Sequence, residues 1–280
     1  MKNICLIFIV LILTFTLSAC DLFNKSTTQT PTDTLTVHFI DVGQGDAILI
    51  DFGDTEILID GGKKNTGAAQ YISAYVNGPL EAVIVTHFDT DHIGGLLQVF
   101  EDYDVSGFWY RGETSGTATA DDLMTAVDNE NSAIYTVTRG DVIQVGMLQF
   151  SVLNPPVPFF EDENNDSIVL LLTYGQTDFL FMGDAEKEAE TDMLSMLTDI
   201  DILKVGHHGS DSSSSWDFLQ IVKPEYAIYM AGIGNSYGHP HQVTINNLNA
   251  IGADIFGTDV NGTIRISIQG QNPPQIVTAR

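Results

Sequence analysis

The stretch Thr86-His87-Phe88-Asp89-Thr90-Asp91-His92-Ile93-Gly94-Gly95 constrains this chain more than any other. Two imidazoles and two carboxylates fall within six residues, directly after the apolar run Ala82-Val83-Ile84-Val85 and before a helix-like segment. A tight loop at the end of a strand brings such side chains toward one point. Packed together without a counter-charge, they repel or bury polar atoms that lack partners. A divalent cation removes that cost, and imidazole with carboxylate is a donor set that transition metals accept.

Two further polar clusters also follow strand-like runs. Phe179-Leu180-Phe181-Met182-Gly183-Asp184 delivers one carboxylate, and Ile202-Leu203-Lys204-Val205-Gly206-His207-His208-Gly209-Ser210 delivers adjacent imidazoles. Taken singly, an Asp before a helix is commonly an N-cap, and two histidines can be a surface pair. The recurrence is what counts. Of seven histidines, four lie in these clusters and two more in Gly238-His239-Pro240-His241.

The elements around the clusters predict one mixed domain. Leu35–Asp41, Ala47–Phe52 and Glu56–Asp60 read as strands of a meander separated by glycine-containing turns, followed by a helix near Thr66–Val76 and the strand Ala82–Thr86. Val142–Leu153, Ile168–Tyr174 and Phe179–Met182 form another group of strands. After a helical stretch at Ala185–Leu197, strands at Ile202–Val205, Tyr226–Met230 and Ile264–Ile268 alternate with helices near Trp216–Val222 and Val243–Ala250. Two mixed sheets packed face to face, with helices outside each, accommodate this order. With 44% hydrophobic and 17% charged residues, the chain has the material for a sizeable core.

Charge narrows the partners. Lys and Arg number 11 against 37 Asp and Glu, a net charge of −26, which excludes the basic footprint of a protein that grips duplex nucleic acid. An anionic substrate needs help from bound cations.

The first residues read as an address. Lys2 precedes an apolar run, Ile4–Leu17, too short to span a bilayer comfortably, and then Leu17-Ser18-Ala19-Cys20. That tetrapeptide resembles a lipobox, the site at which bacterial lipoproteins are acylated on the cysteine. The expected organisation is a lipoprotein signal peptide over 1–19, a polar flexible tether over 20–34 with acylated Cys20, and a folded domain over 35–280 anchored outside the cytoplasm. An ordinary signal peptide, or an N-terminal anchor helix with an incidental cysteine, is the alternative. No protein partner is inferable.

The landmarks Phe39-Ile40-Asp41-Val42-Gly43-Gln44-Gly45-Asp46-Ala47, Leu58-Ile59-Asp60-Gly61-Gly62, His87-x-Asp89-x-Asp91-His92, Asn164–Leu170, Gly183-Asp184-Ala185-Glu186, Lys204–Ser210 and Tyr237–His241 occur in an order that resembles the metallo-β-lactamase fold hydrolases. The resemblance is strongest to the soluble hydrolase domain of the ComEC competence proteins. It implies an α+β, four-layer αβ/βα sandwich with one or two divalent ions, Zn or Mn. It further implies His87 and Asp89 on a first metal, Asp91 and His92 on a second, a bridging Asp184, and His207 completing the second site, with His208 as the other candidate from the doublet. Relatives commonly carry His in place of Asp89 and another near Asn164–Ser167. Their absence leaves the first site richer in oxygen, which suits Mn²⁺ or Mg²⁺, or a single tight Zn²⁺ with a loose neighbour. Phosphodiester cleavage in DNA or a nucleotide by a metal-activated hydroxide follows as the implied reaction. A carboxylic ester or lactone hydrolase, or a non-catalytic metal-binding surface lipoprotein, remains open. Asp89 or Asp91 is expected to orient the water and His239 to donate a proton to the leaving oxygen. His208 and Ser210 are expected to reach toward substrate, with Lys63, Lys64 and Lys204 as basic groups near the mouth. Asp41 and Asp60 are read as supporting or turn-forming residues.

Overall fold

The computed structural model describes residues 33–280. The predicted leader, Cys20 and nearly all of the tether lie outside the described residues. Among the described residues, no helix is long and apolar enough to cross a membrane.

In chain order the elements are β1 (Thr34–Phe39), β2 (Ile48–Phe52), β3 (Thr55–Ile59), α1 (Ala68–Ile72), β4 (Ala82–Ile84), α2 (Thr90–Ile93), α3 (Leu96–Asp102), β5 (Gly107–Tyr110), α4 (Ala118–Glu130) and β6 (Ala133–Thr136). A second series follows: β7 (Val142–Val145), β8 (Leu148–Asn154), β9 (Val169–Tyr174), β10 (Thr177–Phe181), α5 (Lys187–Met193), β11 (Ile202–Lys204), α6 (Trp216–Val222), β12 (Tyr226–Tyr229), α7 (Gln242–Ile251) and β13 (Asp254–Gly257). The chain closes with α8 (Thr258–Asn261), β14 (Ile264–Gln269) and β15 (Gln275–Thr278).

The strands form two sheets, ordered β15-β14-β1-β2-β3-β4-β5-β6 and β13-β12-β11-β10-β9-β8-β7. Strand alternation explains the layering. Ile48, Ile50 and Phe52 of β2, with Ile57 and Ile59 of β3, point into a core shared with Phe150, Leu170, Leu172, Phe179 and Phe181 of the other sheet. The intervening Leu49 and Leu58 point the other way, into a core that packs Ile72, Leu96 and Leu123 from the helices. On the far side Leu180, Leu203 and Ala227 meet Ala189, Phe218 and Leu248. Strands covered on both faces need near-continuous apolar runs, which is how these segments read. The result is the four-layer sandwich expected.

Several elements differ from the sequence reading. Val142–Leu153 is a hairpin, β7 and β8, because Gly146 at φ +55° lets the chain reverse. The helix near Thr66–Val76 is only Ala68–Ile72, and Ala185–Leu197 is α5 followed by a short 3₁₀ turn at Leu194–Met196. β5, α4 and β6 fill a region to which the sequence reading assigned no element.

Strands β3 to β6 run parallel, as do β10 to β13. Their carboxyl ends therefore share one rim, and every polar cluster singled out in the sequence follows such an end. The inter-sheet core sets the stability. Phe150→Ala removes a fully buried ring there and is expected to cost about 3–5 kcal/mol in urea unfolding at unchanged m-value; a cost under about 1 kcal/mol would contradict this packing.

Candidate metal centre

Asp184 follows β10 and is buried. Four imidazole nitrogens face its carboxylate: His92 Nε2 at 3.3 Å from Oδ1, and, from Oδ2, His208 Nε2 at 3.3 Å, His207 Nε2 at 3.8 Å and His87 Nε2 at 3.9 Å. Asp89 Oδ2 is 3.8 Å from His87 Nε2, and Asp91 Oδ2 is 3.6 Å from His208 Nε2. The six residues expected as ligands thus gather at one point, together with His208.

Three of the rings are held by a hydrogen bond on Nδ1, and the fourth, His208, turns its Nδ1 toward a carboxylate. His92 Nδ1 donates to Asp60 Oδ2 at 2.8 Å, and Asp60 is held by the Thr86 amide at 2.9 Å and the Thr86 hydroxyl at 2.6 Å. Because that hydroxyl donates to Asp60, it accepts from His87 Nδ1 at 3.1 Å, which leaves His87 Nε2 as a bare lone pair. His207 Nδ1 donates to Glu186 Oε1 at 2.9 Å. His208 Nδ1 lies 3.2 Å from Asp46 Oδ1, in poor hydrogen-bond alignment. The doublet points both rings inward because His207 and His208 adopt left-handed backbone, φ +44° and +54°. Strain of this kind persists at functional sites when the surroundings enforce it.

The backbone knits the cluster together. Asp46 donates its amide to Asp91 O at 3.2 Å, and Gly61 donates to His92 O at 2.7 Å. Gly45 permits the first contact: at φ +130° a Cβ there would sit 2.1 Å from Asp91 O.

These residues fit a divalent ion. His87 Nε2 and Asp184 Oδ1 are buried without a hydrogen-bond partner, a costly arrangement unless a cation takes both. His92 Nε2 and His208 Nε2 face each other at 3.3 Å, which demands a proton or a cation between them. Asp46, His92, Asp184 and His208 each offer a ligand atom within 4.8 Å of the others. Asp46 is already engaged, its Oδ2 lying 2.6 Å from the Lys204 ammonium.

Charge follows the same geometry. Burial opposes a charge on His92, but Asp184 and Asp60 outweigh it and hold the ring well above its ordinary value. His208 is likewise opposed by burial and raised by Asp184 and Asp46, to about 9. Asp184, despite burial, is held well below the carboxylate range by His208 and His92. Burial and the neighbouring His92 push His87 well below its ordinary value. Burial and His207 push His239 down to about 4, so near neutral pH it is an uncharged ring.

Three expected substrate contacts need correction. Lys204 is fully buried rather than at the mouth, because its ammonium is drawn to Asp46. Ser210 is buried, with its hydroxyl 2.9 Å from Ser212 Oγ, where it serves the loop. His208 is 2% exposed and belongs to the cluster. Lys63 does stand at the rim, its Nζ 5.8 Å from the centre of the exposed Tyr237 ring, which stacks on His239. Lys64 is exposed. Asp60 supports His92, whereas Asp41 accepts from the Gly43 amide and pairs with Arg280 at 2.7 Å. Glu163, unremarked in sequence, accepts from the Phe88 amide at 3.0 Å and pairs with buried Arg111 at 2.8 Å, bracing the His87–Asp89 segment. Asp46 was also missed; its place after Gly-Gln-Gly beside a strand end was the available signal.

The chain belongs to the metallo-beta-lactamase superfamily, whose family model matches residues 40–233. It is 33% identical to ComE operon protein 3 of Bacillus subtilis (strain 168) over 82% of this chain and 32% of that protein. It is 30% identical to Recombination protein 2 of Haemophilus influenzae over 92% of this chain and 31% of that protein. The chain therefore spans about a third of the length of these curated relatives. Among solved structures, a protein described as a new diphosphatase from the PhnP family superposes with a TM-score of 0.52 at 15% identity, covering 84% of this chain and 99% of that one. The chain is a metal-dependent hydrolase by family, with ComEC-like relatives.

Metal uptake should release protons, because His208 must shed the one it holds up to about pH 9 before it can ligate. Apparent affinity is expected to rise with pH toward 9, about tenfold per unit for each displaced proton, read by chelator competition with Mn²⁺ or Zn²⁺ between pH 6 and 9. By the same sign, the stability the imidazolium adds to the metal-free fold is complete below its ordinary 6.5 and lost as pH climbs through about 9. A pH-independent affinity would contradict the assignment of His208 to the centre.

Proposed function

We propose that this chain hydrolyses phosphodiester bonds, in a nucleotide or in single-stranded DNA, on a lipid tether through Cys20 outside the cytoplasm. The observation that carries the reading is the convergence of His87, Asp89, Asp91, His92, His207 and His208 on Asp184, a donor set rich in both nitrogen and oxygen. Divalent ions held there would supply an acidified water and stabilise charge on phosphoryl oxygens.

The protein's own groups then divide the work. Asp184 and the imidazoles would set the positions of the ions, with the Nδ1 atoms of His92, His87 and His207 tied to Asp60, Thr86 and Glu186 and that of His208 facing Asp46. Asp91, part-exposed at the edge of the cluster, accepts a proton or a hydrogen bond from the attacking water. His239, uncharged near neutral pH, offers a hydrogen bond to the leaving oxygen rather than acting as an imidazolium. Lys63 at the rim contributes one local positive charge.

Support from relatives is consistent with phosphorus–oxygen chemistry: one is named for recombination, and a fold neighbour is described as a diphosphatase. The net charge of −26 favours capture of a phosphate locally over stable binding of extended duplex.

The test strips the purified protein of metal and restores Mn²⁺ or Zn²⁺ against bis-p-nitrophenyl phosphate, single-stranded DNA and a p-nitrophenyl carboxylic ester. Metal-restored phosphodiester hydrolysis is expected, lost by at least about 100-fold in Asp184→Asn, since a ligand matters more than the supporting partners whose loss costs ~10–100-fold. Turnover of the ester with phosphodiesters ignored would replace this reading with the acyl hydrolase; no turnover of any would favour the binding lipoprotein.

A further inference from the structure

Lys204 and Asp46 form a fully buried ion pair behind the metal centre. Lys204, 0% exposed at the end of β11, places Nζ 2.6 Å from Asp46 Oδ2 and donates to its neighbour's carbonyl, Val205 O, at 2.9 Å. Packing does not call for a cation there. Ile202 and Leu203 beside it are buried apolar residues, and an apolar side chain of similar volume replaces such a pair without loss of stability in many proteins.

The pair instead repeats a pattern found around the centre. His92 leans on Asp60, which is anchored by Thr86. His207 leans on Glu186, which is anchored by the Ser212 hydroxyl at 2.8 Å. His208 faces Asp46 at 3.2 Å, and the anchor of Asp46 is Lys204. Asp46 is further fixed through its backbone, by its amide on Asp91 O and by the Gly62 amide on its carbonyl at 2.7 Å. The turn before β2, the end of β11 and the 3₁₀ turn at Gly206–Gly209 thus meet on one ring.

We propose that Lys204 is a positioning residue, which through Asp46 holds His208 with Nε2 presented to Asp184. This rests on reading the cluster as a metal centre. The ammonium neutralises a carboxylate that would otherwise be buried beside other acids, and it fixes the plane of that carboxylate against the Nδ1 edge of the ring. A cation beyond His208 then finds its ligand atom already aimed.

The experiment compares the parent, Lys204→Met, Asp46→Asn and the double variant. Each is stripped and titrated with Mn²⁺ and with Co²⁺, whose absorption reports its coordination, and each is compared by near-ultraviolet circular dichroism. Each single variant is expected to bind one ion about 10–100-fold more weakly. The double variant, which leaves no lone buried charge, should keep the fold and lose no more than the worse single variant, because both residues act on one ring. Parent-like affinity in the folded double variant, losses that multiply, or loss of the fold in the double variant would each overturn the proposal. A parent that takes up no ion at all would instead sink the metal-centre reading on which it rests.

Discussion

One carboxylate organises this molecule. Asp184 is buried at the junction of two sheets with four imidazole nitrogens within 4 Å of its oxygens. Nothing in an apolar interior tolerates that arrangement without positive charge. In the metal-free protein the acids around His92 and His208 favour protonation there, holding both rings above their ordinary values. A divalent cation would provide it better, because it satisfies at once the bare nitrogen of His87 and the unpartnered oxygen of Asp184.

The fold serves this point. Parallel runs in both sheets bring the ends of β3, β4, β10, β11 and β12 to one rim, so residues far apart in sequence arrive together. Glycines allow the backbone to come close enough: at Gly95 a Cβ would lie 2.0 Å from Gly61 O, and that contact joins the loop after β3 to the helix pair behind the ligands. Around the ligands, a layer of Asp60, Thr86, Glu186 and Asp46 fixes each ring. The strongly acidic chain then depends on bound cations to receive an anion, which ties substrate capture to the same centre.

Much of this was legible in the sequence, and the exceptions have physical causes. His87, Asp89, Asp91, His92 and Asp184 announced themselves because polar residues directly after apolar runs have few structural uses. The apolar strands were readable for the same reason. α4 was not: Ala120, Leu123 and Val127 make its buried stripe, but small residues and acids dilute the pattern, and its start is set by Thr117 accepting from the Ala120 amide at 3.3 Å. β5 and β6 have four residues each, and β6 is exposed throughout at a sheet edge, so neither carries an alternating signal. Lys204 misled because a lysine at a strand end reads as surface; only the tertiary fold supplies the carboxylate that lets it be buried. The orientation of the His207–His208 doublet was equally out of reach, since it follows from left-handed backbone at both residues.

What occupies the space around Asp184 is read directly by anomalous diffraction from crystals grown with Mn²⁺. Density for ions touching the Asp184 carboxylate, with His87 and Asp89 to one side and Asp91, His92 and the His207–His208 doublet to the other, is the predicted result. Ions found only on surface acids, with the Asp184 carboxylate bare, would contradict it.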